Sequence, residues 1–181
     1  MQSIDLRSLL IGVAAAVLFG LVVLVLLIWT GAYNIAATSG HSPLGRLVLS
    51  STMERSVKAH ASGTAPTLSA ERVRSGGTEY RGMCEQCHGG PGVSRAEWAK
   101  GMTPLPPDLT KKAAEWTPEQ IHWIIEHGVK MSGMPAFGGT HDSQTTWNIA
   151  GFVKQLPTMT AEVYASIPRE EGSHHGSGET H

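Results

Sequence analysis

The sequence has little of what usually builds a large protein core. Aromatic residues make up 6% of its 181 positions, and its formal net charge is −1 with histidine neutral. Because that balance creates no basic field, we expect no nucleic-acid partner. The length suggests one domain with appendages, since domains usually run to about 100–150 residues. The thin aromatic content leaves room for a large apolar cofactor in the core.

Cysteine is scarce, and its placement restricts the chemistry. Cys84 and Cys87 are the only two, and they lie three residues apart. A disulfide between them, a thioredoxin-like redox pair, half of a zinc site and a haem attachment site are the options. A zinc site needs four ligands, whereas Cys84, Cys87 and His88 give three with no second cluster at finger spacing. A thioredoxin motif would follow a strand, and no strand pattern occurs.

The remaining option has a physical reason for its spacing. Cys84-Glu85-Gln86-Cys87-His88 has the C-x-x-C-H form of a haem attachment motif. In such a motif both thiols add to vinyl groups on one edge of a porphyrin. The adjacent His88 is then held beneath the iron as its proximal ligand. We therefore predict one covalent haem c, bound through Cys84 and Cys87.

A second axial ligand should lie further along the chain. Met134 sits between Gly133 and Pro135, some 46 residues after His88. Glycine lets the chain approach the haem plane, and proline biases the preceding residue toward an extended conformation.

Spacing alone does not separate Met134 from its rivals. Met131 lies three residues earlier, and His127 and His141 are further candidates. Met131 has the character of a packing side chain, because methionine fills irregular gaps.

The N-terminal region predicts a membrane helix. Leu9 to Trp29 is a run of 21 residues without a charge or a proline. As a helix it would rise about 31 Å, enough for a bilayer core of about 30 Å. A cleaved signal peptide is the alternative, but its apolar region is usually about 7–15 residues long. We favour a retained anchor over residues 1–30.

The rest of the chain divides by composition. We assign 31–66 to a juxtamembrane segment and linker, with a short interfacial or ordinary helix across 43–59. The haem domain is assigned to 67–160. The residues 161–181 are predicted to be a disordered, histidine-rich tail, polar from Pro168 onward.

Helical signals dominate the haem domain. We predict helices over 69–86, from Thr117-Pro118 to His127-Gly128, and over 142–156. The fold class is therefore all-α: a cytochrome c-like domain of three to four short helices around a covalent haem, preceded by one transmembrane helix.

The stretch from about 70 to 157 resembles a small class I cytochrome c of the bacterial membrane-anchored or periplasmic type. The resemblance rests on three segments: Cys84-x-x-Cys87-His88, Pro106-Pro107-Asp108-Leu109 and Ser132-Gly133-Met134-Pro135-Ala136-Phe137. It implies that His88 and Met134 are the axial ligands. It also implies that the first and last helices of the domain cross where Gly76 and Tyr80 meet Ile149 and Phe152. The carbonyl of one of Pro104, Pro106 or Pro107 should orient His88.

Function follows as an expectation. With histidine and methionine both bound, iron has no open position, which favours electron transfer rather than enzymatic chemistry. We expect a single-pass protein of the cytoplasmic (inner) membrane whose haem domain faces the periplasm, where the resemblance places haem attachment. Its partners would be the membrane and a redox donor and acceptor, such as a terminal oxidase, reductase or dehydrogenase, with no small-molecule substrate.

Two alternatives stay open. One is an integral haem subunit of an oxidase or reductase complex. The other is a haem enzyme or gas sensor in which Met134 dissociates, although no distal acid or base can be assigned near that residue.

Overall fold

Helices joined by loops make up the protein, for which a computed structural model describes residues 5–169. The described residues contain no β-strand, only an isolated bridge between Gly90 and Val93. The all-α class is confirmed. Two compact units divide the chain, the first ending at Ser39 and the second beginning at Gly40.

The first unit is built on one long helix, α1 (Leu6–Thr30). The Asp5 side chain accepts a hydrogen bond from the Arg7 amide at its start, and Gly31 ends it with φ +64°. Within residues 5–169 this is the one helix long and apolar enough to cross a membrane. It is compatible with a single-pass anchor.

The second unit contains seven α-helices and three short 3-10 turns among its described residues. The helices are α2 (Pro43–His60), α3 (Ala70–Met83), α4 (Glu85–His88), α5 (Leu109–Lys112), α6 (Pro118–His127), α7 (Ser143–Gln155) and α8 (Ala161–Ala165), with 3-10 turns at Glu97–Gly101, Ala113–Glu115 and Leu156–Thr158. The prediction of three to four helices missed the shortest ones, because single turns of four or five residues leave no periodic apolar pattern.

The centre of the second unit is the crossing of α3 over α7. A Cβ on Gly76 would lie 2.0 Å from the Asn148 carbonyl oxygen, so only glycine permits this approach. One turn on, the fully buried ring of Tyr80 packs against Phe152 with centroids 5.4 Å apart. Ile149 is 1% exposed at the same contact. The predicted crossing is present.

Helix α6 begins and ends as its sequence predicts. The Thr117 hydroxyl accepts from the Gln120 amide at 3.4 Å, and the Gln120 side chain accepts from the Thr117 amide at 3.0 Å. Gly128 ends the helix with φ +65°. This reciprocal capping and the terminal glycine satisfy backbone groups that a helix leaves open at its ends.

The prediction that 31–66 forms a separate juxtamembrane segment is corrected by the structure. Helix α2 belongs to the second unit: Val57 is 1% exposed in its core, and His60 stacks on Trp123 of α6 at 5.9 Å. The Ala65 amide, in the expected linker, donates to Glu119 at 3.1 Å. Composition suggested a linker because the packing partners of α2 are distant in sequence.

The prediction that the disordered C-terminal tail begins at residue 161 is also corrected. Residues 161–165 form α8, and Tyr164 and Ile167 are 0% and 6% exposed. These two residues are too few to show a periodic pattern. Tyr164 packs against Tyr80 of α3 and Phe152 of α7, and Ile167 lies beside Gly77 of α3. The packed part of the second unit therefore extends to about 168, and the prediction for 170–181 lies outside the described residues.

The close crossing of α3 and α7 predicts that a larger residue at position 76 destabilises the fold. Gly76→Ala should lower the free energy of unfolding by about 2 kcal/mol or more, since the new methyl group overlaps backbone that cannot rotate away. Denaturation followed by far-UV circular dichroism measures this.

Gly82 in the same helix is the matched control, because a Cβ there meets nothing within 4 Å. Gly82→Ala should be neutral or stabilise by up to about 1 kcal/mol through helix propensity. Equal effects at both positions would contradict the close crossing.

Candidate functional site

A single helical turn, α4, presents the C-x-x-C-H motif. Helix α3 ends at Met83, earlier than the predicted residue 86, and Cys84 starts the new turn. The amides of Cys87 and His88 both donate to the Cys84 carbonyl, at 3.1 and 2.9 Å. This turn brings two free, half-buried thiols and the imidazole within four residues of each other.

The imidazole of His88 is oriented by a backbone carbonyl. Its Nδ1 lies 2.9 Å from the Pro107 carbonyl oxygen. A carbonyl can only accept, so Nδ1 carries the proton and Nε2 keeps its lone pair. Burial, helped by the Arg95 charge, lowers the pKa of His88, although the Pro107 hydrogen bond opposes this shift. The ring is therefore neutral near pH 7 and can act as a ligand through Nε2.

The first thiol of the motif is held neutral. Burial, with a smaller contribution from Cys87, raises the pKa of the Cys84 thiol to about 12. Cys84 also contacts the buried apolar core. An apolar group placed against it would therefore bury no charge.

Two tyrosines hold the loop that follows the motif. The Tyr80 hydroxyl donates to the Gly89 carbonyl at 2.7 Å, and Gly89 adopts φ +72°. A Cβ on Gly90 would lie 2.4 Å from the Tyr164 ring. The chain thus leaves His88 along a path that these glycines permit and these rings support.

Glu85, inside the motif, is buried at 6% exposure and fully engaged. It accepts from the Tyr164 hydroxyl at 2.7 Å and from the Arg81 guanidinium at 3.3 Å, and Arg169 also pairs with it. Sequence reasoning missed this group, because its partners Tyr164 and Arg169 lie in the segment that was assigned to the tail. A glutamate between the cysteines was the available signal.

Met134 lies on a closed loop attached to the end of α6. The amides of Phe137 and Gly138 donate to the carbonyls of Ile125 and Glu126, both at 3.0 Å. A Cβ on Gly128 would lie 2.8 Å from the Met134 carbonyl oxygen. The loop is therefore clamped to the helix, and its methionine is half-buried against the core.

The rival ligands are placed differently. Met131 is 85% exposed and has φ +61°. His127 is exposed, donates from Nδ1 to the Trp123 carbonyl at 3.0 Å and stacks on the Trp123 ring. The Nδ1 of His141 lies 2.9 Å from the Thr140 hydroxyl. Among these residues Met134 is the one packed against the core.

Met102 is a neighbour that the sequence did not indicate. Its terminal methyl group occupies the space beside Gly133, 2.0 Å from where a Cβ would stand. It comes from the loop before Pro104, with no helical or motif signal. The Met102 thioether therefore lies close to the loop that carries the Met134 thioether.

A cavity of about 600 Å³ borders the loop that follows the motif. It is lined by His88, loop 90–95 and the C-terminal segment, and includes Arg95, Lys100 and Asp108. Neither cysteine nor Met134 borders it, and its charged lining does not suit a macrocycle. Of the four candidate haem-binding residues, it shares only His88.

The donor set nevertheless fits a covalently bound haem. Two free thiols, a neutral imidazole with its Nε2 lone pair available and a half-buried thioether are the groups that such a cofactor requires. Ile124, Phe137 and Met134 are apolar, partly buried and packed against the core.

Comparison with known families supports the same conclusion. Residues 71–153 match the model of the family described as "Cytochrome C oxidase, cbb3-type, subunit III", a match that covers slightly less than half of the chain. No curated protein and no solved structure matches the chain. The matched region runs from α3 through most of α7 and includes the motif, the Pro107 loop and Met134. This region is a class I c-type cytochrome domain, whose chemistry is haem-based electron transfer.

Proposed function

We propose that this protein is a membrane-tethered mono-haem cytochrome that carries single electrons between respiratory partners. Cys84 and Cys87 form the thioethers, and His88 and Met134 are the axial ligands. The observation that carries the proposal is the 2.9 Å contact from His88 Nδ1 to the Pro107 carbonyl. It leaves Nε2 as an oriented ligand beside two free thiols.

Bound haem c supplies a one-electron couple at its iron. The protein's residues set the conditions for it. Pro107 holds the imidazole orientation, and the clamped loop on α6 holds Met134 in place, so that neither ligand has to move on reduction. A soft, neutral thioether ligand favours ferrous iron and raises the potential.

Location is part of the proposal. With α1 as a retained anchor, the haem domain would lie on the periplasmic face of the cytoplasmic membrane, where family members receive their haem. The apolar run of α1 supports the anchor. The tether would keep the domain close to membrane partners and raise its effective concentration there.

The sixth ligand is tested by methionine replacement. Met134→Ala should abolish the sulfur-to-iron charge-transfer band of the ferric protein, lower the reduction potential and let carbon monoxide bind the ferrous form.

Met131→Ala and Met102→Ala are the controls. Met131 is exposed, so its replacement should leave all three properties unchanged. If Met102→Ala abolishes the band instead, the ligand is Met102 and the assignment of Met134 is wrong.

Covalent attachment and membrane side can be read from one gel. Spheroplasts are treated with protease, denatured and stained for haem peroxidase activity after electrophoresis. Untreated samples should show haem on the full-length chain, because thioethers survive denaturation. Protease should remove that band without lysis.

The two failures of this gel are distinguishable. Haem that runs free of the chain contradicts the role of Cys84 and Cys87. A stained band that resists protease until lysis contradicts the periplasmic location.

A second candidate function is supported by the family description. Because the matching family is described as an oxidase subunit, the chain could be a permanent haem subunit of an oxidase-type complex. The partners in either case are redox proteins of such a system.

Extraction in mild detergent separates the two functions. A tethered carrier should elute from size exclusion as a single haem-containing chain. Stoichiometric co-elution with other haem subunits, retained at raised salt, would favour the complex.

A further inference from the structure

Helix α2 has a face that takes no part in the core of the second unit. We call this the outer face of α2. Its members are Leu44, Leu47, Val48, Arg55 and Lys58, all exposed, with 71%, 62% and 53% of the first three accessible. Val57 and Met53, on another side of the helix, provide the packing against the core.

The outer face is ordered along the helix axis. Leu47 and Val48 lie three and four residues after Leu44, and Arg55 lies seven residues after Val48 and three before Lys58. These spacings place all five members on one side of the helix. The apolar members occupy the first turns and the two cations the later turns. Glu54, the one acidic residue of α2, is half-buried and lies at the edge of the stripe, seven residues after Leu47 and four before Lys58.

A lipid surface fits this order. Interfacial helices bury an apolar strip at the boundary between head groups and acyl chains, while their cations meet anionic head groups. Arg55 and Lys58 give that charge complementarity. An apolar patch that contacts a protein partner would not require cations in line with it.

The connection to α1 restricts where this face can be. Twelve residues, 31–42, separate the end of α1 from the start of α2. Fully extended, they span at most about 43 Å. With α1 in the bilayer, the outer face of α2 is always within reach of the membrane surface.

We propose that the outer face of α2 lies on the anionic surface of the membrane and holds the haem unit at one orientation to it. The proposal rests on the proposed anchor and haem. Because α2 packs against α6 through Val57 and the His60–Trp123 stack, seating the helix seats the haem unit with it. The ligand is a bilayer with anionic head groups rather than a second protein.

The test uses the full-length holoprotein in oriented multilayers of phosphatidylcholine with a minority of phosphatidylglycerol. Electron paramagnetic resonance at varied tilt reports the angle of the ferric haem axes to the membrane. Wild type should give a narrow, tilt-dependent signal. Leu47→Ser with Val48→Ser should give a signal independent of tilt.

The control pair is Leu49→Ser with Val163→Ser. It removes one leucine and one valine of similar exposure, 45% and 53%, outside the outer face. Its spectrum should remain tilt-dependent. Multilayers of phosphatidylcholine alone should lose much of the ordering, because the cations then lack anionic partners.

Each result decides the matter. A tilt-independent wild-type signal overturns the proposal, as does unchanged ordering in the Leu47 and Val48 variant. Ordering that appears only when a co-purified membrane protein is present assigns the face to a protein instead. Carbonate extraction and the haem α-band, measured on the same samples, show separately whether the anchor and haem proposals hold.

Discussion

The contact of the Gly76 backbone with the Asn148 carbonyl determines where the ligand site can form. Helix α3 runs from that contact directly into Cys84, so the depth of the crossing sets the position of the thiols. Tyr80, one turn after Gly76, donates to the Gly89 carbonyl just beyond the motif. A larger residue at 76 would therefore separate two helices and displace both ends of the C-x-x-C-H segment.

The motif is also fastened from the C-terminal side. Buried Glu85 receives Tyr164 and two arginines, and Arg81 also donates to the Ala165 carbonyl at 3.3 Å. A buried carboxylate is costly unless its oxygens are satisfied. The segment 161–169 satisfies them. Glu85, at a position that the chemistry of attachment leaves unspecified, thus ties the segment 161–169 to the C-x-x-C-H motif.

The sequence predicted those features that residues close together in the chain create, and it missed those that depend on contacts between distant segments. The capping box at Thr117, the terminal Gly128 and the apolar stripe of α7 were predictable, because neighbours in sequence create them. The choice of Pro107 among three prolines was not, since it depends on how a loop folds against His88. The packing of α2, the burial of Tyr164 and the position of Met102 were missed for the same reason. The roles of Cys84, Cys87, His88 and Met134 stay predictions that their geometry supports.

The packing of α2 shortens the connection between α1 and the second unit, which matters for the proposed tether. Composition assigned 31–66 to a juxtamembrane segment and linker with a short helix across 43–59. Because α2 and Ala65 are fixed to α6, residues 31–42 are the part that lies between α1 and α2. The volume that a tethered domain explores shrinks steeply as its linker becomes shorter. A shorter linker therefore raises the effective concentration of the domain near its anchor point. Helix α6 also carries the Met134 loop at its other end. The same helix therefore receives α2 through the His60–Trp123 stack and supports the loop of the proposed sixth ligand.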